Sequence, residues 1–456
     1  MKHLFIILAI TLSIINASCD MMGDLDQMKP ENVLTDETLI TDEMSAETAI
    51  NGVYATWRTI EIGWFTHLMS MRTGTEQMRY IGGYQGFPEN DVKIENIGVQ
   101  KNYTALYRVI NMANSVISQL DGKIIEGLSD QRTTEILAEA KFHRAMAHFH
   151  LLREFGEFWD KTSEYGMVTY EETVRGDFPK ARNTVQNTYQ IILNDLNEVV
   201  KMAPEMPKAH YYISQLTGKA LLAKIHLYMN DFEQAAILAQ EVINDGPALG
   251  YNLETVYFDV FENAFYSPEV LFALHASYPN EPTSIYGSTL RPGGTLTSIA
   301  DQMVDGDGIY DKRYVDAYLN ARNKYVQEDF ASNEPANTQF FLRMAEMYYI
   351  VAEAQTRLGE PESARVALAT ITERAGYSQT DIDAIADDML LDQILKHKWM
   401  ELNTENNEEW FDLVRYHILD NYVIAPDFVM SDKHLLLPIP RAAMAGNNLL
   451  KQNKGY

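Results

Sequence analysis

Cysteine is nearly absent: the 456 residues hold one, Cys19, so an intrachain disulfide, a paired-thiol redox centre and a cysteine zinc cluster are all excluded. Basic residues are scarce beside acidic ones, 37 Lys and Arg against 64 Asp and Glu, which gives a formal net charge of −27. A chain of that sign lacks the cationic surface that displaces counterions from phosphates, so nucleic acid is excluded as a partner. The acidity itself reads as a solvated surface. Beyond Ser18 no long uncharged apolar run occurs, which leaves no further candidate for a membrane-spanning helix. The motifs of nucleophilic, metal and phosphate chemistry are missing too: there is no GxSxG, no HExxH, no Gly-rich phosphate loop and no Cys/His pairing after Cys19. Carboxylates are too numerous to single out an acid–base pair, because such a pair is recognised by its separation in space. A binding protein without a cofactor is expected rather than an enzyme.

What is present begins with a targeting device. Lys2 and His3 precede the apolar run Leu4 to Leu12, and the small residues Ala17 and Ser18 stand directly before Cys19. This is the layout of an export signal, too short to remain as a spanning helix. A solitary cysteine at the cleavage point can take a lipid through its thiolate, so Cys19 is the expected acylation site and membrane anchor. The pattern resembles the lipobox of bacterial lipoproteins, with Asn16 where that pattern usually has Leu. Residues 1–18 are then the signal peptide. Residues 19–40, with Asp20, Asp24, Asp26, Glu31, Asp36 and Glu37, form an acidic tether.

Residues 41–456 carry a globular composition, hydrophobic residues being 46% and charged residues 22% of the whole chain. Apolar spacing of three and four predicts helices over Ala46 to Thr59, Tyr103 to Leu120, Thr133 to Phe155 and Leu390 to Leu402. A further helix runs from Thr184 to the stop at Pro204, with Tyr189, Ile192, Leu196 and Val199 on one face. Leu216 to Asn244 divides near Asn230 and Asp231, and Phe341 to Ala375 divides near Gly359 and Pro361, giving two helical hairpins. Overlaid, Ala223, Asn230, Ala235 and Ala239 match Ala352, Gly359, Ala364 and Leu368, a register that resembles a tetratricopeptide repeat. The fold class is mainly α: a helical repeat scaffold in one domain, with loop-rich insertions at about 60–100 and 246–337.

Several clusters invite a chemical reading and are better read as structural. His143, His148 and His150 are spaced so that they do not share one helical face, and packing is their expected role. Asp301, Asp305, Asp307 and Asp311 lack the ligand order of an EF-hand, so no metal is expected there. Trp410, Phe411 and Leu413, after an acidic, asparagine-rich loop, should anchor a C-terminal helix, and Leu435 to Ile439 should be a buried extended segment.

The run from Glu139 to Gly156, EAKFHRAMAHFHLLREFG, is similar to the signature helix of the SusD/RagB family. Leu342 to Ala354, Trp410 to Arg415, Leu436 to Pro440 and Gln452 to Tyr456 resemble further segments of that family in the same order, as do Asp311-Lys-Arg313 and the helix from Tyr107 to Ile117. Departures stand at His143, His148 and His150, at Asn406, Asn407 and Glu408, and at Lys454. The resemblance implies a surface-exposed, lipid-anchored outer-membrane protein of a Bacteroidota-type bacterium, with ligand-binding loops on a helical scaffold. It also implies a SusC-like TonB-dependent outer-membrane transporter as partner, and oligosaccharide as cargo. Oligopeptide cargo is the alternative within that architecture, and a scaffold lipoprotein without small ligand is the alternative outside it. Sugar binding needs flat aromatic faces beside polar side chains. The two insertions supply Trp64, Tyr80, Tyr84, Tyr278, Tyr286 and Arg291 as the expected platform.

Overall fold

The computed structural model describes residues 39–58, 60–77, 85–176, 178–209, 211–274, 292–304, 308–319, 324, 338–423 and 434–456. Cys19 lies outside them. The chain opens on α1 (Glu43–Trp57) and α2 (Ile60–Arg72), followed by the long helices α3 (Ile97–Leu120), α4 (Asp130–Phe155) and α5 (Val185–Met202). Two hairpins come next in sequence but far apart: α6 (Gln215–Tyr228) with α7 (Phe232–Asp245), and α9 (Met344–Arg357) with α10 (Pro361–Thr372). Between the hairpins lie strand β1 (Val270–Leu274), helix α8 (Gly294–Gln302) and strand β2 (Gln339–Arg343). Helices α11 (Leu390–Leu402) and α12 (Glu408–Asp420) complete the main set. A mainly helical architecture therefore stands as expected.

Local chemistry explains where these helices start and stop. Asp42 caps α1 reciprocally: Ser45 N donates to Asp42 Oδ1 at 2.8 Å while Asp42 N donates to Ser45 Oγ at 3.0 Å. Thr184 caps α5 through Asn187 N at 3.1 Å, and the helix ends at Met202, two residues before Pro204. Both hairpins turn where the sequence places them. Asn230 takes φ +59° before the Asp231 cap, and Gly359 takes φ +80° before Pro361 opens α10. The small residues Ala223, Ala235, Ala239, Ala352 and Ala364 are fully buried, and α7 packs against α9, so the two hairpins stack as neighbours.

Helix α4 is the axis of the molecule. From Ile136 to Phe155 it is buried except at Lys141, which means that its polar residues need partners inside. Arg144 finds Asp195 of α5 at 2.6 and 2.8 Å. His143 accepts the indole N–H of Trp57 at 3.0 Å, and burial pushes its pKa down to about 3, so it packs as a neutral ring. His148 is likewise pushed down to about 3, chiefly by burial, and His150 is lowered by the same cause. Packing is thus the role of all three, as their spacing suggests. Trp410, Phe411 and Leu413 are buried in α12, and Leu435–Ile439 is a buried extended segment.

Two expectations change. The first insertion does not begin at residue 60, because α2 continues to Arg72. Phe65, Leu68 and Met69 form a buried helical face there, and the single Gly63 costs too little to break it. The second insertion contains strand β1, every residue of which is buried, paired antiparallel with β2 from Val270↔Arg343 to Leu274↔Gln339. A strand buried on both faces shows no alternation, so periodicity gave no sign of it.

Candidate ligand site

The two loop-rich insertions meet. At the end of α2, Gly74 takes φ +71°, and the chain turns so that Glu76 forms an antiparallel bridge with Pro292 of the second insertion. Gly293 N donates to Thr75 O at 2.7 Å, and Thr295 N donates to Gly74 O at 3.1 Å. Two glycines permit this approach. A Cβ on Gly293 would lie 2.0 Å from Gly74 O, and one on Gly74 would lie 2.5 Å from Thr295 Oγ1. Thr297 N then donates to Gly293 O at 3.0 Å, so the junction opens directly into α8.

A bed of buried polar groups supports this seam from below. His67 Nδ1 is 2.8 Å from Glu76 Oε2, with both side chains buried. Burial works against the charged imidazole, but the Glu76 carboxylate outweighs it and raises the His67 pKa. Trp399 of α11 donates its indole N–H to Thr75 Oγ1 at 3.0 Å. Glu409 Oε1 accepts from Ser70 Oγ at 2.5 Å and from Thr404 N at 3.1 Å, while burial pushes the Glu409 carboxyl up to about 7.

A second set of contacts fixes the other side of the insertion, and charge carries it. Arg313 forks onto Asp311 at 2.7 and 3.0 Å and reaches Glu401 Oε2 at 3.3 Å, which gives the Asp-Lys-Arg element of the sequence its task. Lys324 donates to Glu405 Oε1 and Asn403 O, both at 3.0 Å, and to Glu401 O at 2.8 Å. Arg343 binds Glu405 at 2.7 and 2.9 Å and also Glu269; Arg374 binds Glu269 and Glu401, each at 2.6 Å. Neighbouring cations Arg374, Arg343 and Arg313 overcome burial and hold the Glu401 carboxyl down at about 2. The acidic, asparagine-rich loop after α11 is therefore an internal socket. Thr404, Asn406 and Asn407 adopt φ of +59°, +51° and +63° to build it, a conformation asparagine tolerates better than most residues. Sequence reasoning assigned this loop no ligands of its own; the available signal was Glu401, Glu405, Glu408 and Glu409 crowded together with no Lys or Arg between them.

Of the expected platform, Trp64 falls within α2, ten residues before Gly74 (74 − 64), and its side chain is outside the described residues. Tyr80, Tyr84, Tyr278, Tyr286 and Arg291 also lie outside them. Their chain neighbours are described: Glu76 precedes the first pair, Leu274 precedes Tyr278, and Pro292 follows Arg291. Asp305 and Asp307 are outside as well, Asp301 accepts from Tyr310 OH at 3.1 Å, and Asp311 is committed to Arg313. Among the described residues no group of three or more His, Cys, Asp or Glu could hold a metal ion. No helix among them is long and apolar enough to cross a membrane.

Several known proteins resemble this chain in sequence and architecture. Residues 24–228 match a family model described as starch-binding, associating with outer membrane, and residues 302–456 match the SusD family model. SusD-like protein P2 of Formosa agariphila is 24% identical over 523 aligned positions, which cover 100% of this chain and 99% of that protein. A SusD superfamily protein from Bacteroides thetaiotaomicron, solved as a crystal structure, superposes with a TM-score of 0.73 at 20% identity, covering 91% of this chain and 100% of the other. A laminarin-binding SusD-like protein superposes with a TM-score of 0.68 at 19% identity, again covering 91% and 100%.

Proposed function

Because this chain belongs to the SusD/RagB family, we propose that it is the glycan-capturing subunit of an outer-membrane uptake complex. In this reading the loops on either side of the seam grip an oligosaccharide by stacking and hydrogen bonding. They release it, uncleaved, to a SusC-like TonB-dependent barrel. The lipid on Cys19 holds the protein at the cell surface while it does so. Trp64, Tyr80, Tyr84, Tyr278, Tyr286 and Arg291 are the proposed platform.

One observation supports the reading most: the junction of Gly74–Glu76 with Pro292–Thr295, which joins two insertions far apart in sequence into one unit. Loops that merely connected helices would have no need of glycines at two close backbone approaches. The binding of laminarin by a protein of similar fold favours saccharide over peptide as cargo. Calorimetric titration with neutral glucan oligosaccharides should give saturable binding that weakens at least tenfold in Trp64→Ala. Reducing-end assays on the same mixtures should stay flat. Release of new reducing ends, or binding of peptides alone, would overturn the proposal.

A further inference from the structure

A second surface carries saccharide chemistry and shares no residue with the seam. Between α3, the stretch 168–176 with Phe178, and the helical turn Arg441–Gly446 lies an open groove of about 410 Å³, the size of a small-ligand site. One wall is a ladder of rings. Tyr107 and Tyr170 meet edge to face with centroids 5.8 Å apart at 73°, and Tyr170 and Phe178 meet at 6.4 Å and 65°. Hydrogen bonds to the backbone fix the two tyrosines: Tyr107 OH donates to Val168 O at 2.9 Å and Tyr170 OH to Phe178 O at 3.1 Å. What the wall offers a ligand is therefore ring surface already held in place, one face of Tyr170 being taken by Lys180 Nζ at 5.7 Å from the ring centroid, and this lowers the entropy lost on binding. Phe178, at the outer end, is 61% exposed.

The polar side of the groove is equally selective. Arg108 is the one charged residue among the described lining residues, and no described carboxylate pairs with its guanidinium. In a chain of net charge −27 that is a local reversal of sign. Asn111 spends its carbonyl oxygen on Val174 N at 2.7 Å, which leaves its amide NH2 as a donor at the groove. Fixed aromatic faces suit the apolar side of a pyranose, an amide donor suits a hydroxyl, and a planar guanidinium suits a carboxylate through two parallel hydrogen bonds. An acyl chain would need none of those polar groups, and a neutral sugar would leave Arg108 idle.

We propose that this groove is a second carbohydrate site, specific for an acidic saccharide, whose uronate carboxylate pairs with Arg108 while its ring lies on Tyr170 and Phe178. The choice of a saccharide rests on the carbohydrate reading of the chain given above; the location and the acidity rest on the groove alone. The test uses the full-length lipoprotein in lipid nanodiscs, titrated with tetragalacturonic acid, its methyl ester and a neutral glucan. Tetragalacturonic acid should bind the unmodified protein, at least tenfold more weakly after esterification, and at least tenfold more weakly to Arg108→Gln and to Phe178→Ala. Both variants alter exposed side chains, and both should bind the neutral glucan as the unmodified protein does. If the neutral glucan binds and tetragalacturonic acid does not, or if Arg108→Gln binds the acid undiminished, the groove proposal is overturned while the seam reading stands. If the acid binds in an Arg108-dependent way and the glucan does not bind, the groove stands and the seam reading fails.

Discussion

The stacked hairpins and the insertion seam are held by different balances of chemistry. Helices α6, α7, α9 and α10 meet mostly through alanines and other apolar side chains, contacts that are short-ranged and nondirectional, with one buried ion pair, Lys224–Glu346 at 2.9 Å, between α6 and α9. The seam and its socket use His67–Glu76, Arg313–Asp311, Lys324–Glu405 and Arg343–Glu405, partners often separated by scores of residues and all out of water. Apolar packing tolerates sliding; a fork of buried charges does not. The difference shows how a protein can hold irregular loops in register against a regular scaffold: it fixes them with many directional bonds where the stacked hairpins use few.

The sharpest way to break that comparison is Glu401→Gln. Glu401 serves Arg374 at 2.6 Å and both Arg343 and Arg313 at 3.3 Å, so the neutral amide leaves buried guanidiniums short of a counter-charge. Urea denaturation should show a loss of about 3–5 kcal/mol. A loss below about 1 kcal/mol would mean that the charges contribute little to holding the insertion.

A smaller and more local effect is expected from Gly74→Val. Its φ of +71° and the crowding by Thr295 should cost about 1–3 kcal/mol, felt at the seam rather than in the hairpins. Hydrogen exchange should quicken at the amides of Gly293 and Thr295 while the amides of α7 and α9 keep their protection. Equal quickening in both places would merge the two regions into one cooperative unit.

The mildest test is of pH. Burial holds the Glu409 carboxyl at about 7, above the 4.5 of an ordinary glutamate, so the folded chain binds this proton more tightly than the unfolded chain. The stability it contributes is complete below about pH 4.5 and is lost as the pH rises through about 7, with a slope of at most about 1.4 kcal/mol per pH unit. Denaturation curves between about pH 5 and 7 should be flatter for Glu409→Gln than for the unmodified protein. An unchanged slope would show that Glu409 does not titrate in that range.

The same division governs what could be read from the chain. Helix α5, the break at Asn230–Asp231 and the break at Gly359–Pro361 are written in neighbouring residues, and they lie where spacing and turn chemistry place them. Trp410 and Phe411 were legible as core for the same reason. Helix α2 was not, because its glycine and its aromatic neighbours look like loop material until the long-range burial of Phe65 and Leu68 is known. Strand β1 was hidden by burial on both faces. The socket was illegible because nothing near Glu405 in sequence announces that Lys324 and Arg343 are its counter-ions. The groove with Arg108 escaped notice because Tyr107 and Tyr170 look like ordinary core aromatics one at a time.

The short sheet has a consequence of its own. Leu274 and Gln339 face each other across β1 and β2, so the strand pair is a clasp that holds the two ends of the second insertion side by side. The described parts of the segment between them are tied elsewhere as well, Pro292–Thr295 to Gly74–Glu76, and Arg313 and Lys324 to Glu401 and Glu405. Closing a flexible loop costs only about 0.6 kcal/mol more for each doubling of its length. Between those ties a change of length costs the stack little, whereas losing a tie would strip buried carboxylates of their partners. The clasp marks a natural cutting point at which one chassis could be refitted for different prey.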